Sequence, residues 1–208
     1  MFLGDNHLTN LKKRVAREAA TLLYTLQEKE YKQAKIRAAE TLGVRVLPSN
    51  LEVARELDEI AENMEGPSRK ELLLQMRKEA LQTMRILEAF HPRLVGSAWR
   101  GTAHRNSDID ILTFSSYPNA ILEKLMDGDF RIARTEWSSV TKEGRRESSF
   151  HIHILLPSGN EAEIVVRSPD KMGVVERCEI YGDSVTGLNY QQLERVLKED
   201  PHRKFVPT

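Results

Sequence analysis

The sequence holds a single cysteine, Cys178, and so nothing for it to bridge within the chain. That excludes an intrachain disulfide framework and a cysteine-based zinc cage, and it fits a reducing compartment. Long apolar runs are missing too; none approaches the ~18 residues that a membrane-crossing helix needs, so no membrane partner is expected. The opening MFLGDNHLTNLKKR lacks an apolar core followed by a small-residue cleavage site, and a secretory signal is not expected. Excess charge of one sign is also absent. The 31 Lys and Arg balance the 31 Asp and Glu, which rules out a basic coat over the whole chain but leaves room for a local basic patch. No low-complexity segment and no internal repeat interrupts the 208 residues. The expectation from these absences is a soluble cytoplasmic protein of one generous domain or two small ones.

What is present changes character near Pro92. Before it, apolar residues recur at three- and four-residue steps. Leu8, Leu11, Val15, Ala19, Leu22, Leu23 and Leu26 share one helical face, and the pattern predicts a helix running as far as Leu42, with Gly43 as its stop. Ser49 with Glu52, and Ser68 with Glu71, have the spacing of capping boxes and predict two more helix starts. The second opens a stripe of Leu72, Leu73, Met76, Ala80, Leu81, Met84 and Leu87 that Pro92 closes. That stripe has two uses, an interface for a partner chain or core packing against a sheet, and packing is the more economical. Residues 1–92 therefore read as an all-helical N-terminal region.

After Pro92 the period shortens. Strands are predicted at 93–95, 108–114, 130–140, 150–156 and 161–167, a short helix at 118–126, and a last helix from an Asn189 cap to Lys198, before a loose tail from Pro201. Pro157-Ser158-Gly159-Asn160 is turn chemistry and joins two of these strands as a hairpin. The fold class predicted is α+β, with residues 93–208 forming a mixed sheet flanked by helices.

The chemistry concentrates in Gly96-Ser97-Ala98-Trp99-Arg100-Gly101-Thr102-Ala103-His104-Arg105-Asn106-Ser107-Asp108-Ile109-Asp110. On a strand, Asp108 and Asp110 point to one face while Ile109 and Ile111 point to the core. Two carboxylates so close repel one another, and a hard divalent cation such as Mg²⁺ relieves the repulsion. Alone, Asp-x-Asp is common in surface turns. Gly96-Ser97 adds a bend between a strand and a helix start, where glycine lets backbone approach an anion and a hydroxyl donates to a phosphate oxygen. The two features at this spacing read as a triphosphate cradle beside a metal site.

This stretch resembles the signature of the DNA polymerase beta-type nucleotidyltransferase superfamily, nearest its minimal and CCA-adding branches. The likeness is good over 93–115 and loose over the hairpin at 150–167. It implies a polymerase beta-like palm, a nucleoside triphosphate such as ATP as substrate, and a role for each matching residue. Asp108 and Asp110 would bind metal, and Gly96, Ser97, Arg100 and Thr102 would bind the nucleotide or support its loop. The superfamily carries a third carboxylate on a later strand. Glu161 and Glu163 are both available here; Glu163, directly before Ile164-Val165-Val166, fits better, although aspartate is commoner in relatives. With Asp108, Asp110 and Glu163 as ligands, two Mg²⁺ ions are implied, and the reaction is transfer of a nucleoside monophosphate to a hydroxyl with release of pyrophosphate. The acceptor class stays open among RNA, protein and small molecules.

Other residues read more plainly. Arg105 is a solvated loop charge, His151 and His153 are two sheet-surface histidines with no third metal ligand beside them, and Cys178 is an idle thiol. Lys142, Arg145 and Arg146 form a small basic cluster that would suit RNA, against a default of a solvated loop. Only about 40 residues follow the hairpin, which favours resemblance to stand-alone minimal enzymes, some of them toxin–antitoxin components. The N-terminal helices would then hold an acceptor, a protein partner or a second copy. The alternative function is a catalytically silent module of the same fold that binds a nucleotide or a partner. Retention of two mutually repelling carboxylates argues against it.

Overall fold

The computed structural model describes residues 3–142 and 145–207, with side chains over 8–139 and 148–207. Two compact units emerge. The first holds helices α1 (Leu3–Tyr24), α2 (Tyr31–Thr41) and α3 (Asn50–Glu65) with the segment Arg177–Asp183. The second begins at Lys70, within α4 (Pro67–Ile86), and holds the sheet with the elements packed on it. Among the described residues no helix is long and apolar enough to cross a membrane.

In the first unit small residues do much of the packing. Val15, Ala16, Ala19 and Ala20 of α1 meet Ala34, Ala38 and Ala39 of α2 and Val53 of α3, all buried. Alanine lets backbones approach closely while keeping the helix propensity that a short helix needs. The predicted box at α3 forms. The Ser49 Oγ accepts from the Glu52 N–H at 3.2 Å, and the Glu52 carboxylate accepts from the Ser49 N–H at 2.6 Å. The helix predicted to run to Leu42 is in fact two. Leu26 takes a left-handed φ of 57°, and the Gln27 N–H donates back to the Leu22 carbonyl at 3.0 Å. This is a helix-ending turn of the kind glycine usually makes, built here on leucine. Gly43 closes α2 in the same way, at φ 64°. The predicted Ser68–Glu71 box does not open α4. Pro67 takes the first helical position, and the Ser68 hydroxyl donates back to the Glu65 carbonyl at 2.7 Å.

The second unit is built on β1 (Arg93–Val95), β2 (Ile109–Phe114), β3 (Arg131–Lys142), β4 (Arg145–Leu155) and β5 (Glu161–Arg167). They form a five-stranded sheet in the order β1-β2-β5-β4-β3. Neighbours run antiparallel except β2 and β5, which are parallel. Between β1 and β2 lies the one-turn helix α5 (Gly96–Arg100). Helix α6 (Pro118–Asp127) follows β2, and α7 (Tyr190–Glu199) comes near the end, capped by Asn189 as predicted. With its helices, this is the α+β architecture expected.

Strand alternation sorts the sheet into two faces. Leu94, Ile109, Ile111, Ile152, Ile154, Ala162 and Ile164 point one way and are fully or nearly fully buried. Met76, Ala80 and Met84 of α4, Leu87 just after it, Ile121 and Leu125 of α6, and Leu193 and Val196 of α7 join the same core. The α4 stripe is therefore used for packing against the sheet. The opposite face carries Asp110, Glu163, His151 and His153. Lys142, Arg145 and Arg146 stand at the β3–β4 hairpin, where their side chains lie outside the described residues.

Arg77 sits fully buried inside this unit. Its guanidinium donates to the carbonyls of Ala98 and Trp99 at 3.0 and 2.9 Å, and to those of Pro201 and Arg203 at 2.7 and 2.9 Å. Burial lowers its pKa to about 10, still well above neutrality, so the charge is retained and shared among four carbonyl dipoles. The tail from Pro201, expected to be loose, is instead pinned to α5 by this residue. Only a planar fork of five donors serves carbonyls in several directions at once. Replacement of Arg77 by Met or Lys is expected to lower unfolding free energy by about 3 kcal/mol, because carbonyls are left without donors. Denaturant titration of both variants checks this; midpoints matching the wild type for both would contradict it.

Candidate active site

The parallel pairing of β2 with β5 places Asp110 directly beside Glu163. Adjacent strands lie ~4.8 Å apart, and residues in register share a face. Asp108, immediately before β2 and two residues from Asp110, points to the same side. One carboxylate oxygen from each of Asp108, Asp110 and Glu163 lies within 4.8 Å of the other two. Glu163, rather than Glu161, is thus the residue that completes the cluster.

Three acidic groups in so small a space strain their own ionisation. Desolvation by burial, followed by the charges of Asp108 and Glu163, raises the Asp110 pKa to about 8. Desolvation also raises that of Asp108, with Glu163 and Glu161 adding to the effect. A cluster of this charge is able to hold a cation, which would relieve the crowding. Hard oxygen donors, converging and short of positive charge, suit a divalent ion of the Mg²⁺ kind.

Gly96 explains why glycine opens the neighbouring bend. Its φ is 65°, a left-handed value, and a Cβ there would stand 1.8 Å from the Asp110 Oδ2. The backbone of the bend and the Asp110 carboxylate are therefore in direct contact, and no side chain fits between them. Ser97 follows, half-buried, at the start of α5. Its carbonyl accepts from the N–H groups of Gly101 and Thr102, the latter at 3.0 Å, which folds the loop back on itself. Thr102 is also half-buried. Ser107 closes the loop before Asp108 by accepting from the His104 N–H at 3.0 Å.

Arg100 is placed differently from the others. Its side chain is buried, its guanidinium lies 4.1 Å from the centre of the Trp99 ring, and it donates to the Phe205 carbonyl at 2.8 Å. The Phe205 N–H donates back to the Arg100 carbonyl at 2.9 Å. Of its two expected uses, loop support matches this geometry.

Two residues read as plain surface histidines stand against Glu163. The His151 Nδ1 is 2.6 Å from the Glu163 Oε1, and the Ser149 Oγ is 2.7 Å from the His151 Nε2. The His153 Nε2 is 3.5 Å from the same Glu163 oxygen and 3.3 Å from both Glu136 Oε1 and Arg134. The alternation of His151 and His153 showed that they share a face. Their acidic partner depended on β4 lying beside β5, a pairing across a turn.

A family model for the nucleotidyltransferase domain matches residues 77–181. The chain belongs to that family. The matched span contains the Gly96-Ser97 bend, Asp108, Asp110 and Glu163. No curated protein matches the chain. Among solved structures this nucleotidyltransferase chain is similar to Cid1, described for RNA terminal uridylyl transferase activity, at 14% identity and TM-score 0.34, over 54% of this chain and 36% of that one. It is similar also to an H336N mutant of Cid1 poly(U) polymerase bound to MgATP, at 15% identity and TM-score 0.35, over 61% and 40%. A third is a cytoplasmic RNA terminal U-transferase, at 18% identity and TM-score 0.31, over 56% and 34%. The nucleotidyltransferase chain spans well under half the length of these proteins.

The crowded carboxylates carry a stability consequence. An unfolded chain releases the Asp110 proton near pH 4, whereas the folded, metal-free protein holds it until about pH 8. The folded state binds more protons across that window, so metal-free stability falls as pH rises through it and levels off above. Asp110→Asn is expected to raise the melting temperature of the metal-free protein at pH 8 by several degrees, with the gain shrinking toward pH 4. Calorimetry in chelator at both pH values checks it; an unchanged or lower melting temperature at pH 8 would contradict the crowding.

Proposed function

We propose that this nucleotidyltransferase moves a nucleoside monophosphate from a nucleoside triphosphate, ATP among them, to an acceptor hydroxyl and releases pyrophosphate, with Mg²⁺ as its cofactor. The observation that carries this reading is the convergence of Asp108, Asp110 and Glu163 beside the Gly96-Ser97 bend. In this reading Asp108 and Asp110 hold one ion and share a second with Glu163. Bound there, magnesium supplies charge neutralisation for the triphosphate and lowers the pKa of the attacking hydroxyl.

The chain's own residues do the positioning. Gly96 and Ser97 offer backbone and hydroxyl donors to phosphate oxygens, close to the carboxylates because Gly96 has no side chain to hold them apart. Thr102 and Arg100 fix the far end of that loop, Thr102 through the Ser97 carbonyl and Arg100 through the tail. The acceptor oxygen forms a bond to the α-phosphorus, the bond from that phosphorus to the bridging oxygen breaks in line, and pyrophosphate departs. The acceptor's proton is taken up on the Glu163 side of the cluster. Catalysis of this kind rests on placement and charge, with no covalent enzyme intermediate.

The division of labour proposed assigns the helical residues 1–92 to holding an acceptor, a protein partner or a second copy, and residues 93–208, with α4 packed into their core, to transfer. RNA, a protein hydroxyl and a small molecule all remain acceptor classes, and the setting is cytoplasmic. Incubation with each α-labelled nucleoside triphosphate, Mg²⁺ and total cell RNA and protein tests the reading. The wild type is expected to label one acceptor class, and Asp108→Asn or Asp110→Asn to reduce labelling at least about 100-fold while leaving the fold intact. Labelling by Asp110→Asn at the wild-type rate would overturn it.

A further inference from the structure

We infer that His151 is a positioning residue that fixes how the Glu163 carboxylate faces the metal cluster. The inference rests on the reading of Asp108, Asp110 and Glu163 as a metal site. Glutamate has one more rotatable bond than aspartate and so a carboxylate that swings more freely. The structure shows what restrains it. The His151 Nδ1 meets the Glu163 Oε1 at 2.6 Å, and the Ser149 Oγ meets the His151 Nε2 at 2.7 Å. A carboxylate only accepts, so Nδ1 carries the hydrogen in that bond. In the neutral ring Nε2 then accepts from the Ser149 hydroxyl. The three residues form one directed chain, hydroxyl to imidazole to carboxylate, and each bond sets the orientation of the next group. The bond at Oε1 fixes the plane of the Glu163 carboxylate, and with it the oxygen lone pairs that are turned toward Asp108 and Asp110.

His153 does not do this job as well. It is the in-register neighbour of Glu163, yet its Nε2 is 3.5 Å from Oε1 and is shared with Glu136 and Arg134, each at 3.3 Å. Arg134 can only donate and the carboxylates can only accept, so one nitrogen cannot serve all three at once. His151 faces a single carboxylate from a diagonal position and makes the shorter bond. Partners that orient a metal-ligating carboxylate in this way typically change metal affinity or activity by about 10–100-fold when removed.

The test uses the whole 208-residue chain and Mn²⁺ alone as probe, with binding read by electron paramagnetic resonance and nucleotide transfer measured in parallel as kcat and KM. His151→Ala is expected to weaken Mn²⁺ binding about 10–100-fold and to lower kcat with little change in KM for the nucleotide. His151→Asn sets an amide N–H near the position of Nδ1 and is expected to restore most of the loss. His151→Gln, which extends its amide toward the Nε2 position, is not. Wild-type Mn²⁺ affinity in His151→Ala, or equal behaviour of the Asn and Gln variants, would overturn the inference. Should His151→Ala fail to fold, Ser149→Ala takes its place, with a loss of a few-fold in Mn²⁺ affinity expected and no loss overturning the inference. Failure of the wild type itself to bind Mn²⁺ overturns the metal-site reading, a result distinct from a bound metal indifferent to His151.

Discussion

Like charges forced together on one sheet face are the constraint around which the second unit is arranged. A parallel pairing of β2 with β5 puts Asp110 beside Glu163, and a two-residue step adds Asp108. Without a counter-charge that placement opposes folding, as the raised pKa values of Asp110 and Asp108 show. The opposite face of the same strands offsets it with a fully buried aliphatic layer of Ile109, Ile111, Ile152, Ile154 and Ile164. The alternation of strand side chains thus separates two tasks, with cohesion on one face and stored electrostatic tension on the other.

The tension stays in place because its surroundings leave it little freedom. Gly96 brings backbone into contact with Asp110, α5 folds back through the Ser97 carbonyl, and Arg77 ties α5 to the tail by four hydrogen bonds. Arg100 adds a reciprocal pair of bonds to Phe205. The Gly96-Ser97 bend is therefore supported from beneath by tail residues more than a hundred positions away in the chain, a rigid footing of the sort a preorganised site requires.

Much of this was legible in the sequence, and the gaps have physical reasons. The Gly96-Ser97 bend, Asp108, Asp110, the α+β class and the hairpin turn at 157–160 all announce themselves through local chemistry, because glycine, turn residues and period-two alternation act over a few positions. The break at Leu26 did not, since an apolar residue in a left-handed conformation carries no signal that glycine would have carried. The pinned tail and the buried Arg100 depend on contacts between distant segments, of Arg77 with Pro201 and Arg203 and of Arg100 with Phe205. His151 and His153 were visible as a pair, but Glu163 became their partner only through the β4–β5 register. The hairpin itself was legible from its turn, but the residue-by-residue register that sets His151 diagonal to Glu163 was not, and it decides what surrounds the carboxylates.

The central claim is that three carboxylates on neighbouring strands form one seat for a divalent ion next to the Gly96-Ser97 bend. Anomalous diffraction from crystals soaked in Mn²⁺ addresses it without reference to any substrate. The account predicts a peak within coordination distance of the Asp108, Asp110 and Glu163 oxygens; crystals that show Mn²⁺ bound elsewhere, with none between these residues, would contradict it.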